Sequence, residues 1–164
     1  MRVVFMGNPE FAIPTLKLLQ KSRHEILAVV SNKPKRMGRG KTYNSTPVGK
    51  YAKENNIKLL EPAKLKEKVF INELKKMKAD IFMVVAYRIL PKEIIKIPIH
   101  GAVNLHVSLL PKYRGAAPIQ WALMNGDKET GVTIFQISEK VDTGDILAQE
   151  KFPIFDDDNM LTLG

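Results

Sequence analysis

The stretch DIFMVVAY, residues 80–87, is a continuous apolar run bounded by polar residues. A strand with one wet face alternates apolar and polar residues, whereas a strand covered on both faces does not. This run therefore predicts a buried strand of a parallel sheet. Just upstream, residues 64–78 predict a helix with lysines outside. Four apolar residues are expected near one face of that helix: Leu65, Val69, Leu74 and Met77.

Strand and helix patterns alternate on both sides of this run. Strands are predicted at 2–7, 24–31, 57–62 and 102–110, helices at 10–21, 47–56 and 116–126, and a short helix or turn at 89–98. Residues 131–138 and 145–154 alternate more regularly and predict a final antiparallel pair. Because such alternation indicates βαβ units, we expect an α/β fold. It is an open, mainly parallel Rossmann-like sheet with flanking helices and an antiparallel strand pair near the C-terminus.

The bulk composition narrows the class of protein. The 164 residues fit one domain, and the absence of cysteine excludes disulfides and thiolate metal sites. The apolar segments are too short to span a bilayer, and the first residues do not resemble a signal peptide, so we expect a cytoplasmic protein. The net charge of +9 favours anionic partners such as nucleic acid, phosphorylated or polycarboxylate ligands, or an acidic membrane surface. A solvated, lysine-rich surface is the alternative explanation of this charge.

Two phosphate-binding loops are missing from the sequence. GNPEF, residues 7–11, follows the first predicted strand, where a dinucleotide-binding fold has GxGxxG. Pro9 donates no backbone N–H there, and Glu10 would repel a phosphate. No GxxxxGK[ST] stretch occurs either. We therefore expect neither a nicotinamide cofactor nor nucleotide hydrolysis.

The segment NKPKRMGRGKTYNS, residues 32–45, is basic and contains two glycines. Five positive charges fall within ten residues; they belong to Lys33, Lys35, Arg36, Arg39 and Lys41. Clustered cations with little aromatic content suit contacts to phosphates without readout of bases. In isolation, a solvated flexible loop explains the segment as well.

The most unusual chemistry lies in NLHVSLLPKYRGAAP, residues 104–118. Residues two apart in a strand point to the same face, so Asn104, His106 and Ser108 are expected to share one face. An asparagine can donate to a developing oxyanion, and a histidine can exchange a proton near neutral pH. A hydrogen-bonded core histidine is the alternative. No second histidine or carboxylate lies at ligand spacing from His106, so we expect no metal site.

A carboxylate to orient the histidine is absent from this stretch but present further on. EKVDTGDIL, residues 139–147, offers Asp142 and Asp145 just before another predicted strand. DTGD is also good turn chemistry, so either aspartate could serve only the turn. At the end of the chain, Asp158 or Asn159 stands where it could cap a new helix, and we expect the chain to be a fragment that stops there.

The motifs NLH, SLLP, RGAAP and DTGD, in this order and spacing, resemble the folate-dependent formyltransferase family. RGAAPIQWA and the basic segment narrow the resemblance to members that act on methionyl-tRNA. The resemblance implies transfer of a formyl group from 10-formyltetrahydrofolate, as co-substrate, to the amino group of methionyl initiator tRNA. It implies that Asn104 and protonated His106 stabilise the oxyanion. It also implies that Asp142 orients His106 and helps to move the amine proton.

The same resemblance implies two binding regions. Folate-binding positions would be Arg88, Ile89 and Leu90 together with Ser108, Leu109, Leu110 and Pro111. Arg88 departs from the small residue expected at its position. The positions that would contact tRNA are Arg36, Arg39 and Lys41.

The resemblance also bears on domain organisation. It implies that residues 1–164 are a truncated N-terminal catalytic domain of a longer protein, without the rest of that domain and without a second, β-rich tRNA-binding domain. We expect a monomer with no membrane partner. Three alternatives stay open: a formyltransferase for glycinamide ribonucleotide or a sugar amine, a formyltetrahydrofolate hydrolase, and a non-catalytic RNA-binding fragment. The other formyltransferases would share Asn104, His106 and Asp142. The hydrolase would release formate without an acceptor and would not need the basic segment.

Overall fold

The computed structural model describes residues 1–37 and 42–163, and of Arg36, Met37 and Thr42 only the backbone. The chain divides into two compact units, Met1–Ala102 and Val103–Gly164. Among the described residues, no helix combines the length and the apolar character needed to cross a bilayer.

The first unit is built on parallel strands. Its strands are β1 (Arg2–Gly7), β2 (Glu25–Val30), β3 (Lys35–Met37), β4 (Thr42–Asn44), β5 (Leu59–Leu60) and β6 (Ile81–Val85). Its helices are α1 (Ile13–Lys21), α2 (Pro47–Glu54), α3 (Lys68–Met77) and α4 (Lys92–Ile95), and a 3₁₀ turn, Glu10–Ala12, precedes α1. Four strands pair in the order β5-β2-β1-β6, and each pair is parallel. Phe82, Val84 and Val85 of β6 are buried, as the apolar run predicts.

Two predictions for this unit need correction. Helix α3 begins at Lys68, so Leu65 lies outside it. Val69 is 80% exposed, and the buried positions of α3 are Phe70 and Leu74. Since Phe70 and Leu74 are four residues apart, they share the face that packs inward, and Val69 is turned away from it.

The basic segment is not a plain loop. It contains the antiparallel hairpin of β3 and β4, in which Lys35 pairs with Asn44. The chain before and after the hairpin is joined by a side-chain hydrogen bond, because the hydroxyl oxygens of Ser31 and Thr46 lie 2.5 Å apart. Thr46 also caps α2, accepting the backbone N–H of Gly49 at 2.9 Å.

The second unit is antiparallel. It contains β8 (Glu129–Gln136), β9 (Ile146–Pro153), α5 (Pro118–Met124) and α6 (Met160–Leu163), together with all but the first residue of β7 (Ala102–His106). The strand order is β7-β8-β9, so the predicted antiparallel pair is confirmed. Asn159 caps α6 by accepting the N–H of Leu161 at 2.8 Å. The parallel strands of the first unit and the antiparallel strands of the second confirm the predicted α/β class.

Candidate active site

Strand β7 positions the first two candidate residues. Asn104 and His106 are two apart on β7, with Phe135 of β8 directly opposite Asn104. His106 is 7% exposed, and its ring meets Phe135 edge-on at a centroid distance of 6.5 Å. The strand ends at His106, so the predicted strand over 102–110 is too long and Ser108 lies beyond it.

Both ring nitrogens of His106 face oxygen atoms of the same unit. Nε2 lies 2.8 Å from the backbone carbonyl oxygen of Tyr113. Nδ1 lies 3.7 Å from Oδ2 of Asp142. This distance is within the range over which a carboxylate acts on an imidazole. Of the two aspartates in DTGD, Asp142 is therefore the partner of His106, whereas Asp145 is exposed.

The loop that carries Asp142 is fixed to the second unit at two points. Asp142 has the left-handed φ of 50° and accepts the backbone N–H of Gly115 through Oδ2 at 2.8 Å. Gly144 approaches β8 so closely that a Cβ atom would overlap the carbonyl oxygen of Gln136. The backbone N–H of Gln136 in turn donates to the carbonyl of Asp145 at 2.9 Å. The glycine of DTGD therefore sets the path of the loop.

The SLLP turn, residues 108–111, is held by two side chains that no sequence motif indicated. Thr133 is fully buried; its hydroxyl donates to the carbonyl of Ser108 at 2.6 Å and accepts the N–H of Leu110 at 3.1 Å. Gln149 donates to the carbonyl of Leu110 at 3.1 Å and to Thr133 at 2.9 Å. The sequence signal that could have indicated this role is a threonine at an inward-facing position of β8. The peptide bond before Pro111 is cis.

The basic stretch that follows the SLLP turn makes most of its contacts within the second unit. Lys112 donates to Oδ2 of Asp127 at 2.7 Å, and the hydroxyl of Tyr113 donates to the same oxygen at 2.8 Å. These bonds, that to Lys112 above all, lower the pKa of Asp127, and the bond to Asp127 raises the pKa of Lys112. The ion pair explains Lys112 without an anionic ligand, whereas Arg114 is exposed.

The predicted folate-binding residues of the first unit differ in exposure. Arg88 donates to the backbone carbonyls of Pro62 and Ala63, at 2.9 and 3.2 Å, and to the hydroxyl of Tyr87 at 2.7 Å. Burial raises the pKa of that phenol. Ile89 is 78% exposed and Leu90 is buried. Arg88 thus fastens two neighbouring segments of its own unit.

The predicted tRNA-binding residues are only partly covered by the structure. Arg39 and Lys41 lie outside the described residues, and Arg36 is described by its backbone, which pairs with Tyr43 in the hairpin. Within the described part of the chain, no three His, Asp or Glu residues are grouped as a metal ion would require.

The second unit thus holds an imidazole beside a carboxylate, with the amide of Asn104 two residues from the imidazole along β7. The amide can donate to an oxyanion, and the imidazole with its carboxylate can hold or pass on a proton. Such a set suits acyl-type transfer, in which a tetrahedral centre forms and collapses.

Comparison with known proteins gives a consistent result. The "Formyl transferase" family model matches residues 1–164. The methionyl-tRNA formyltransferase of Prochlorococcus marinus (strain MIT 9312) is 50% identical over 165 residues, which cover 99% of this chain and 50% of that protein. That of Thermodesulfovibrio yellowstonii is 51% identical over 162 residues, which cover 98% and 53%. The chain therefore spans about half the length of the curated relatives it matches.

Solved structures share the fold at lower sequence identity. The phosphoribosylglycinamide formyltransferase of Bacillus halodurans superposes with a TM-score of 0.82 at 24% identity, covering 99% of this chain and 85% of that one. A formyltetrahydrofolate deformylase of Pseudomonas syringae gives 0.73 at 24% identity, covering 96% and 53%. Because the family model matches the chain from its first residue to its last and the relatives are about half identical, the chain belongs to the formyl transferase family.

Proposed function

We propose that this chain carries the catalytic centre of a methionyl-tRNA formyltransferase. The reaction transfers a formyl group from 10-formyltetrahydrofolate to the amino group of methionyl initiator tRNA. The observation that carries the proposal is the 3.7 Å approach of Asp142 to Nδ1 of His106, two residues from Asn104 on the same face of β7. The relatives at about 50% identity carry this name, which favours methionyl-tRNA over the other acceptors.

The geometry suggests the following roles. The amine nitrogen attacks the formyl carbon, and the carbonyl oxygen becomes an oxyanion. Asn104 donates to that oxyanion through its amide, and His106 donates from Nδ1, since Nε2 is bound to Tyr113. The bond between the formyl carbon and N10 of the folate then breaks. The amine loses a proton and N10 gains one, so the folate leaves as tetrahydrofolate.

Asp142 is the group best placed to handle that proton. Its Oδ2 is held by the N–H of Gly115 and faces His106. The side chain is 14% exposed, so a carboxylate oxygen can reach solvent or substrate. Asp142 would accept the amine proton directly or through a water molecule while it keeps the imidazole oriented.

The folate is proposed to bind along the SLLP turn. Backbone groups in an apolar cleft can hold a flat ring with polar edges. Thr133 and Gln149 occupy the carbonyls of Ser108 and Leu110, so they fix the shape of this turn and leave other backbone groups for a ligand. A contribution from Arg88, Ile89 and Leu90 stays a prediction. Arg88 would have to contribute to folate binding while it keeps its hydrogen bonds to the carbonyls of Pro62 and Ala63.

The basic hairpin is proposed to contact phosphates of the tRNA. The hydroxyl contact between Ser31 and Thr46 fixes the points at which the chain enters and leaves this segment. Arg36, Arg39 and Lys41 are the residues proposed for this contact. A protein that acts on methionyl-tRNA is expected where aminoacyl-tRNA is used, which agrees with the cytoplasmic location predicted from the sequence.

The decisive experiment supplies 10-formyltetrahydrofolate and measures both formate release and formyl transfer. It is run with methionyl initiator tRNA, with glycinamide ribonucleotide and without an acceptor, on this chain and on its full-length form. We expect the full-length form to transfer the formyl group to the tRNA alone. Formate release that does not depend on an acceptor would support a hydrolase instead. Transfer to the ribonucleotide would support the related enzyme.

A further inference from the structure

The imidazole of His106 is held on one side by a group that can only accept hydrogen bonds. The carbonyl oxygen of Tyr113 lies 2.8 Å from Nε2. A carbonyl has no proton to donate, so Nε2 carries the proton in both the neutral and the charged ring. The proton that comes and goes is therefore the one on Nδ1, which faces Asp142.

The carbonyl reaches this position through an unusual backbone. Tyr113 has a φ of 56°, in the left-handed region that a bulky residue rarely adopts. Such a conformation persists only where the surroundings hold it. The hydroxyl of Tyr113 donates to Oδ2 of Asp127 at 2.8 Å and accepts from Nδ2 of Asn125 at 2.7 Å. The phenol is thus fixed from two directions.

Asp127 also binds Lys112, the residue before Tyr113. Nζ of Lys112 donates to the same carboxylate oxygen at 2.7 Å and lies 5.0 Å from the centre of the Tyr113 ring. The side chain of Asp127 is 16% exposed. Lys112, Tyr113 and Asp127 therefore form one connected cluster, named here the Asp127 clamp, just beyond the SLLP turn.

We propose that Asp127 and the phenol of Tyr113 are positioning residues that set the tautomer of His106, because the Asp127 clamp places the Tyr113 carbonyl against Nε2. Neither residue touches a reacting atom. The consequence for turnover rests on the proposed function, whereas the consequence for the tautomer does not.

Loss of the clamp has a specific chemical result. Without the carbonyl, the neutral ring is free to carry its proton on Nδ1 and to donate it to Asp142. Nδ1 would then no longer be the nitrogen that gains and loses a proton, and the carboxylate would be occupied. Turnover would fall while folate binding would be little changed, because the SLLP turn keeps its bonds to Thr133 and Gln149.

The test is nitrogen NMR of the histidine side chains in this chain. The sequence has three histidines, so a His106→Gln variant identifies the signals of His106. Tyr113→Phe removes the phenol oxygen and keeps the ring, and Asp127→Asn removes the charge. The matched control is Asp156→Asn. Asp156 also accepts a hydrogen bond from a lysine, Lys128 at 2.8 Å, but its side chain is exposed. Turnover and the folate KM are measured on the full-length form.

We expect the wild type and the control to show the tautomer with the proton on Nε2. In both clamp variants the Nε2 proton should exchange with water about tenfold faster, the size of effect that one lost hydrogen bond gives. Turnover should fall about tenfold, with the folate KM changed by less than about twofold. An unchanged exchange rate in folded Tyr113→Phe would overturn the inference, whatever the stability of Asp127→Asn. Faster exchange in a protein without formyl transfer would overturn the proposed function alone.

Discussion

The reactivity of each candidate residue depends on which of its polar atoms the fold leaves available. Nε2 of His106 is taken by Tyr113, and Oδ2 of Asp142 is taken by Gly115. The Asn104 amide has no side-chain hydrogen bond to any group within residues 1–37 and 42–163. The atoms that remain for substrate are therefore the Asn104 amide, Nδ1 of His106 and the second oxygen of Asp142. The Asn104 amide and Nδ1 of His106 are the two donors available to an oxyanion, and the second oxygen of Asp142 is available to accept the amine proton.

The first prediction concerns Asn104. Asn104→Ala removes the neutral donor, and a donor of this kind is typically worth about 3 kcal/mol in the transition state. Turnover of the full-length form should fall roughly a hundredfold or more, with the unfolding midpoint in urea little changed. Asn72→Ala, at an exposed position of α3, is the matched control and should keep full turnover. Wild-type turnover in folded Asn104→Ala would remove Asn104 from the mechanism.

The second prediction concerns the charge on Asp127. Hydrogen bonds lower its pKa in the folded state, first that from Lys112 and then that from Tyr113. A depressed folded pKa stabilises the protein above the unfolded pKa, near 3.9, and this contribution is lost as the pH falls through the folded pKa. The urea midpoint of the wild type should therefore exceed that of Asp127→Asn at pH 7. The difference should shrink as the pH is lowered from about 4 towards 2.

Asp156→Asn is the control for this titration. Its pair with Lys128 lies in solvent, where ion pairs contribute little, so its midpoint should follow the wild type at every pH. A difference between the wild type and Asp127→Asn that stays constant down to pH 2 would show that the carboxylate charge is not the cause.

At the level of secondary structure, sequence patterns located most elements but not their contacts. The apolar run over 80–87 predicted β6, and alternation predicted β8 and β9. The end of β7 was placed too late, because Leu109 and Leu110 continue the apolar pattern of the strand while the chain already turns. Apolar periodicity reports burial, and a buried turn gives the same signal as a buried strand.

Sequence patterns did not predict the long-range hydrogen bonds, for a different reason. The partner of His106 had to be chosen between Asp142 and Asp145, and both aspartates fit a turn equally well. The choice is made by Gly144, whose approach to Gln136 fixes the loop, and by the N–H of Gly115, which holds Asp142. Thr133 and Gln149 act in the same way on the SLLP turn. Such contacts depend on register between strands, which no local pattern encodes.

The third prediction concerns the loop that carries Asp142. Gly144→Ala adds a Cβ atom that overlaps the carbonyl of Gln136, so the loop must move and take Asp142 with it. We expect a loss of about 2 kcal/mol in the free energy of unfolding, and turnover of the folded protein reduced at least tenfold.

Gly7→Ala supplies the matched control for overpacking. A Cβ atom at Gly7 would lie 3.0 Å from the carbonyl oxygen of Val85, in the first unit. This variant should lose stability without loss of turnover by the folded protein. Equal turnover in Gly144→Ala and Gly7→Ala would mean that the position of Asp142 does not matter.

At the level of the whole molecule, charge is divided unequally between the two units. Residues 1–102 contain 21 Lys and Arg against 8 Asp and Glu, whereas residues 103–164 contain 5 against 9. The net positive charge therefore belongs to the unit with the basic hairpin, and the candidate catalytic residues belong to an acidic one. A polyanionic acceptor would be attracted mainly by the first unit.

The fourth prediction follows from this division. Arg39→Ala in the full-length form should raise the KM for tRNA and reduce the steepness of its salt dependence, because one phosphate contact fewer releases fewer counterions. The folate KM should stay the same. Lys151→Ala, in the acidic unit, serves as the control and should leave both KM values unchanged. A weaker folate interaction in Arg39→Ala would mean that the basic segment has another role.

We propose Asn104, His106 and Asp142 as the centre for formyl transfer to methionyl-tRNA. Its most direct test is single-turnover transfer from 10-formyltetrahydrofolate to methionyl initiator tRNA by the full-length form, wild type against His106→Ala, with folding verified by circular dichroism. We expect the wild type to form formylmethionyl-tRNA and expect transfer by His106→Ala to be at least about a hundredfold slower, in keeping with the loss of a positioned acid. Transfer at the wild-type rate by folded His106→Ala would contradict it.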